Sequence, residues 1–125
     1  MLQKYMFLGL AGAAGTLTRF WVSGFAQRLA SEGFPLGNFL VNLSGCLFFG
    51  LVYALVESRS GLPGDMRLYA LTGFMGAYTT FSTYMFESVA LMQNGLWLAA
   101  SVNLVGQTVL GLACVLAGLA LGRLF

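Results

Sequence analysis

Four long apolar runs joined by short polar connections organise the chain: about Tyr5 to Ala26, Leu36 to Val56, Leu68 to Met92 and Leu96 to Leu121. Each supplies the roughly 20 residues that a helix needs to cross a bilayer. The pattern therefore predicts an all-α membrane protein, a single domain over 1–125 with four transmembrane helices at 5–26, 36–56, 68–92 and 96–121. The connections carry the turn chemistry. Gln27 to Phe34 holds Arg28 and Glu32, Glu57 to Arg67 holds Gly61 and Pro63-Gly64-Asp65, and Gln93-Asn94-Gly95 is a tight turn.

Polar residues inside the apolar runs are the informative exceptions, because hydrocarbon offers a hydroxyl, an amide or a freed backbone group no partner. In the second run Asn38, Asn42, Gly45 and Phe49 recur at intervals of four, three and four, which places them on one helix face. Asn42 lies well inside. A buried amide without a partner costs about 1 to 3 kcal/mol, so Asn42 either bridges two helices or faces water.

The third run holds the densest polarity: Gly73, Gly76, Thr79, Thr80, Ser82, Thr83 and Glu87. Glycines beside β-branched residues hold a continuous helix poorly, so this helix is expected to be interrupted near its middle. Carbonyls freed at bilayer depth can coordinate a cation such as sodium if the break faces protein or a cavity. Phe81 and Tyr84, three apart, share a face below the break, and Glu87 one turn further on requires a cavity or a cation.

The first run carries Gly9, Gly12 and Gly15 near one face, where absent side chains allow close helix approach. An arginine at bilayer centre costs about 2.5 to 3.5 kcal/mol on insertion scales, which puts Arg19 near a helix end with its guanidinium in a wet vestibule. In the fourth run Asn103, Gln107 and Thr108 are expected to form a polar stripe opposite Gly106, Gly111 and Gly118.

Composition agrees with a lipid-facing exterior: 58% hydrophobic residues and 8% charged, against roughly 25% charged in soluble chains, with a mean hydropathy of +0.83. A net charge of +2 without a basic run excludes a nucleic-acid partner. The first run is too long for a signal peptide and lacks a convincing cleavage site. Cys46 and Cys114 fall inside apolar runs, without histidine or CxxC spacing, and read as packing residues rather than redox or metal groups.

With four spans, Lys4, Arg59, Arg67 and Arg123 share one side while Arg28 and Arg19 belong to the other. That bias is mild by the positive-inside rule. It permits insertion in both orientations and antiparallel pairing of two copies, with one-way insertion and a parallel oligomer as the alternative.

Three motifs in order resemble those of the small four-helix fluoride channels of the Fluc (CrcB) family, over nearly the whole chain. Gly12-Ala-Ala-Gly15-Thr16-Leu-Thr-Arg19-Phe20 is similar to that family's GxxGAxxR(Y/F), with Thr16 where alanine is usual. The stretch from Gly37 through Asn38 and Asn42 to Gly45 is similar to GTxxVNxxG, with Asn38 in place of threonine. Gly76 to Glu87 is similar to GxxTTFSTFxxE, with Tyr84 where the second phenylalanine usually stands.

The resemblance implies a channel rather than an enzyme: an antiparallel, dual-topology homodimer in the inner (plasma) membrane, passing fluoride out of the cytoplasm. It implies a structural sodium ion on the two-fold axis, held by the backbone carbonyls of Gly76 and Thr79 from each subunit. Phe81 and Tyr84 would be the aromatic pair facing the anion, Asn42 the pore asparagine, and Ser82 or Thr83 hydroxyl donors along the path beside Thr80. Arg19 and Glu87 would sit toward the vestibules, while Asn38, Asn103 and Gln107 are less securely tied to the path.

Two other classes compete. A small proton-coupled multidrug exporter has this length but places a glutamate in its first helix, where this chain has only Arg19. A non-transporting assembly subunit would leave the polarity of the third run unexplained.

Overall fold

The computed structural model describes residues 1–30, 33–58 and 64–125. Glu32, Arg59, Gly61 and Pro63 lie outside them. All regular structure among the described residues is helical: α1 (Leu2–Gln27), α2 (Leu36–Ser58), α3 (64–78), α4 (Phe81–Gln93) and α5 (Trp97–Gly122). The third apolar run is thus two helices, α3 and α4, separated at Thr79 and Thr80, so the expected interruption is present. It begins earlier than Leu68, at Gly64, where Asp65 in the first turn pairs with Lys4 at 2.7 Å and ties α3 to the start of α1. Gly95, at φ +73°, makes the sharp connection from α4 to α5 that a residue with Cβ would resist.

Polarity is inverted relative to a soluble domain. Asn103 is 0% exposed, Ser88 2% and Gln107 8%, whereas Phe20, Trp21, Phe25, Leu98, Leu112 and Leu116 stand outward. Burying amides while exposing large apolar side chains is favourable only where the surrounding solvent is itself apolar. Helices α2, over Leu36–Glu57, and α5 are each long and apolar enough to cross a membrane. The accessible surface, 7951 Å², exceeds the roughly 6,500 Å² of a compact soluble monomer of this length, leaving wide faces for lipid or another chain.

Helix pairs close through glycine. A Cβ on Gly118 would lie 2.1 Å from the Leu47 carbonyl oxygen, and one on Gly50 would lie 2.3 Å from that of Val115, so α2 and α5 meet backbone to backbone. Gly15 brings α1 against the Phe74 carbonyl of α3 in the same way. Val41, Leu71, Met75 and Tyr78 form the small apolar core between α2 and α3.

One expectation is corrected. Asn103, Gln107, Gly111 and Gly118 are all buried, so the amides of α5 share the glycine face instead of opposing it. Residues 103, 107 and 111 follow at intervals of four, and the wider π-helical turn at Val102–Gly106 rotates Asn103 into register with them. A second wide turn, Leu68–Met75, precedes the break in α3. Neither turn is visible in the hydrophobic pattern.

Candidate functional site

The break is made by two β-branched residues in extended conformation, Thr79 (φ −85°, ψ 158°) and Thr80 (φ −148°, ψ 116°). Its backbone groups are served by side chains. The Thr80 N–H donates to Asn42 Oδ1 at 2.9 Å, and Asn42 Nδ2 donates back to the Thr80 carbonyl at 3.2 Å. Thr80 Oγ1 caps α4 by accepting from the Thr83 N–H and itself donates to Thr83 Oγ1 at 3.0 Å. Gly45 makes room opposite the break: a Cβ there would fall 2.2 Å from Thr79 Cγ2. Asn42 therefore bridges two helices by replacing the helical hydrogen bonds that the break removes.

Those diverted donors release two acceptors. In an unbroken helix the Gly76 carbonyl would receive the Thr80 N–H and the Thr79 carbonyl the Thr83 N–H, but these go to Asn42 Oδ1 and Thr80 Oγ1. Two hard carbonyl oxygens are left without their helical partners, and Gly76 is exposed. Oxygen donors of this kind suit a hard cation.

Beside the break lies a cavity of about 360 Å³ whose walls include Asn42, Thr80, Phe81, Tyr84, Gln107 and Thr108. The structure thus brings Asn42, Thr80, the aromatic pair and Gln107 to one place, and Thr79 lines it too. Phe81 and Tyr84 meet edge to face, with ring centroids 5.8 Å apart, although Phe81 is 74% exposed and Tyr84 8%. The Tyr84 hydroxyl is committed to α5: it donates to the Leu104 carbonyl at 2.8 Å, with Thr108 Oγ1 3.3 Å away. Ser82 is exposed and Thr83 half-buried, and neither lines this cavity.

Asn38, Arg19 and Glu87 sit apart, around two neighbouring cavities that share Asn38, Ser23 and Gln27. One, about 720 Å³, contains Glu87; the other, about 430 Å³, contains Arg19. Asn38 Nδ2 donates to Glu87 Oε1, and Glu87 Oε2 has no partner among the described residues. Arg19 makes no ion pair among them. Gln27 staples the entry, its Nε2 donating to the Phe34 carbonyl at 2.9 Å and its Oε1 accepting the Gly37 N–H at 3.0 Å.

A family model described as "CrcB-like protein, Camphor Resistance (CrcB)" matches residues 6–119. The chain belongs to this family. The match runs from α1 into α5 and so includes every residue of the break, the cavity and its neighbours. Family relatives include the protein named "Fluoride-specific ion channel FluC" of Maridesulfovibrio salexigens, 57% identical over 123 residues that cover 98% of each chain. Those of the same name from Nitratidesulfovibrio vulgaris, strain Miyazaki F, and Nitrosococcus oceani are 53% and 45% identical, covering 98% and 99% of this chain and 99% of each relative.

Reading the sequence missed Ser23, Gln27 and Ser88 as parts of this polar system. A lone serine or glutamine in or at the end of an apolar run carries no periodic signal, since one hydroxyl can bond its own helix carbonyl without a partner elsewhere. Ser88 does that with the Tyr84 carbonyl at 2.8 Å, and its role appears only through what α5 brings to it.

Proposed function

We propose that this CrcB-family chain is the subunit of a fluoride-selective channel that lets fluoride leave the cytoplasm passively, and so limits its toxic accumulation. The carrying observation is the inverted build: apolar outside, and inside a broken helix whose polar groups line a cavity with hydroxyl, amide and aromatic-edge donors. Fluoride is small and strongly hydrated. It sheds water only where close donors replace it, and amide N–H, hydroxyl and the positive rim of an aromatic ring are such donors. The ring edges of Phe81 and Tyr84 offer the rim, the hydroxyls of Ser82 and Thr83 adjoin it, and the Asn42 and Thr80 hydrogens, engaged within the break, would be exchanged to fluoride as it passes. Arg19, on a neighbouring cavity, attracts anions.

A groove of about 360 Å³, open on one side, is far too wide to select an ion by size. Selection requires a second surface, and Phe81, which lines the groove, stands 74% exposed on its own. Two copies related by a two-fold axis in the membrane plane, as the mild charge bias permits, supply that surface in a multi-pass, inner-membrane homodimer. In such a pair the released carbonyls of Gly76 and Thr79 from both subunits would hold a structural sodium ion. When bound, the ion would join the two breaks and place a fixed positive charge near the path.

Purified protein in liposomes is expected to release fluoride rapidly with no proton gradient, followed by a fluoride electrode, and to retain chloride. Comparable chloride release, or transport that needs a proton gradient, would overturn the reading. Replacing sodium by a large organic cation on both sides is expected to remove most of the flux, and its return on adding sodium back would tie the loss to the ion. Unchanged flux in sodium-free liposomes would remove the cation from the structure of the channel.

A further inference from the structure

A chain of hydrogen bonds runs from the break through α2 and α5 and back to α4. The Thr80 N–H donates to Asn42 Oδ1, Asn42 Nδ2 to Gln107 Oε1 at 2.7 Å, and Gln107 Nε2 to Asn103 Oδ1 at 2.7 Å. Asn103 Nδ2 then donates to Ser88 Oγ at 2.9 Å, and the Ser88 hydroxyl to the Tyr84 carbonyl. Asn103, Ser88 and Gln107 are buried, so water cannot replace a missing partner.

Each amide in this chain could in principle be turned end for end, exchanging its oxygen and its NH₂. The two ends of the chain forbid it. A backbone carbonyl can only accept, so the Ser88 proton is committed to Tyr84 and Ser88 Oγ can only accept from Asn103. Asn103 must then present NH₂ to Ser88 and oxygen to Gln107, and Gln107 must present NH₂ to Asn103 and oxygen to Asn42. At the other end a backbone N–H can only donate, so Thr80 requires the oxygen of Asn42. Both ends demand the same orientation of all three amides.

We infer that Ser88, Asn103 and Gln107 are positioning residues that fix the orientation of the Asn42 amide, holding its hydrogens between Thr80 and Gln107, both of which line the cavity. A turned Asn42 would put an acceptor where the proposed function needs a donor; in that respect the inference rests on the fluoride reading. Ser88 acts from three hydrogen bonds away and lines none of the three cavities described above.

The test uses full-length protein labelled with ¹⁵N-asparagine in detergent. The chain has four asparagines, Asn38, Asn42, Asn94 and Asn103, and the side-chain NH₂ pair of Asn42 is assigned by its loss in Asn42→Asp. In Ser88→Ala the Asn42 pair is expected to move beyond its linewidth, and fluoride flux per folded protein to fall several-fold. Ser88→Thr keeps a hydroxyl able to bond the carbonyl four residues back, and is expected to restore both. Gln107→Met, similar in volume but without polar atoms, is expected to move the Asn42 pair as well, and decides the matter if Ser88→Ala does not fold. An Asn42 pair unmoved in the folded variants would overturn the inference. Absence of fluoride flux in the unaltered protein would instead overturn the proposed function, while the resonances still report on the hydrogen-bond chain.

Discussion

Asn42→Asp is expected to cut fluoride throughput by at least about a hundredfold while the protein remains folded. The aspartate can still accept the Thr80 N–H, so one anchor of the break survives. It can no longer donate to the Thr80 carbonyl or to Gln107 Oε1, and instead sets a carboxylate oxygen against both. The added charge is the larger effect. An anion about 4 Å away meets about 4 kcal/mol of repulsion at an effective dielectric near 20, close to three decades in occupancy. Efflux from liposomes measures the loss, and the elution volume in detergent reports the fold. Efflux equal to that of the unaltered protein would remove Asn42 from the ion's path, whatever its place in the hydrogen-bond chain.

Gly118→Val is expected to abolish recovery of monodisperse protein. Even a Cβ at Gly118 would stand 2.1 Å from the Leu47 carbonyl oxygen and 2.8 Å from the Leu51 nitrogen. Both obstructing atoms are backbone, so no side-chain rotation relieves the clash and α2 must move away from α5. Overpacking a site that can adjust costs about 1 to 3 kcal/mol, and this one has little freedom to adjust because Gly50 makes the reciprocal contact with Val115 and Leu119. Gly118→Ala is therefore expected to lower the melting temperature clearly, and the Gly50→Ala/Gly118→Ala pair to approach the valine variant. Gly9→Ala is the control. Nothing lies within 4 Å of a Cβ there, and replacing a helical glycine by alanine gains up to about 1 kcal/mol. Size-exclusion profiles and melting curves in detergent compare them. A monodisperse Gly118→Val protein that melts with the unaltered one would show that α2 and α5 do not cross where described.

The apolar runs, their lengths and their connections were legible because lipid imposes a one-dimensional rule: a helix must stay apolar for the thickness of the bilayer. The interruption between Gly76 and Phe81 was legible for a related reason, since two threonines after a glycine are poor helix residues and hydrocarbon leaves their backbone groups no outlet. That Asn42 belonged to a face with Asn38 and Gly45 also followed from spacing alone.

What those polar groups bond to was not legible. Asn103 and Gln107 were expected opposite the glycines of α5, yet Gln107, Gly111 and Gly118 lie in one regular helix at spacings that share a face, and the wide turn at Val102–Gly106 brings Asn103 onto that face as well. Such a turn depends on what α5 packs against and leaves no trace in the apolar pattern. Tyr84 shows the same limit: its ring position could be read from the motif, whereas the attachment of its hydroxyl to the Leu104 carbonyl required α4 and α5 to be brought together. By itself the sequence determined a four-run membrane chain with a broken third run and an asparagine well inside the second, because periodicity, propensity and solvent fix those locally. Only the tertiary structure decided that Asn42 satisfies the break and that Gln107, Asn103 and Ser88 orient it, because a hydrogen-bond direction is set by partners far apart in the chain.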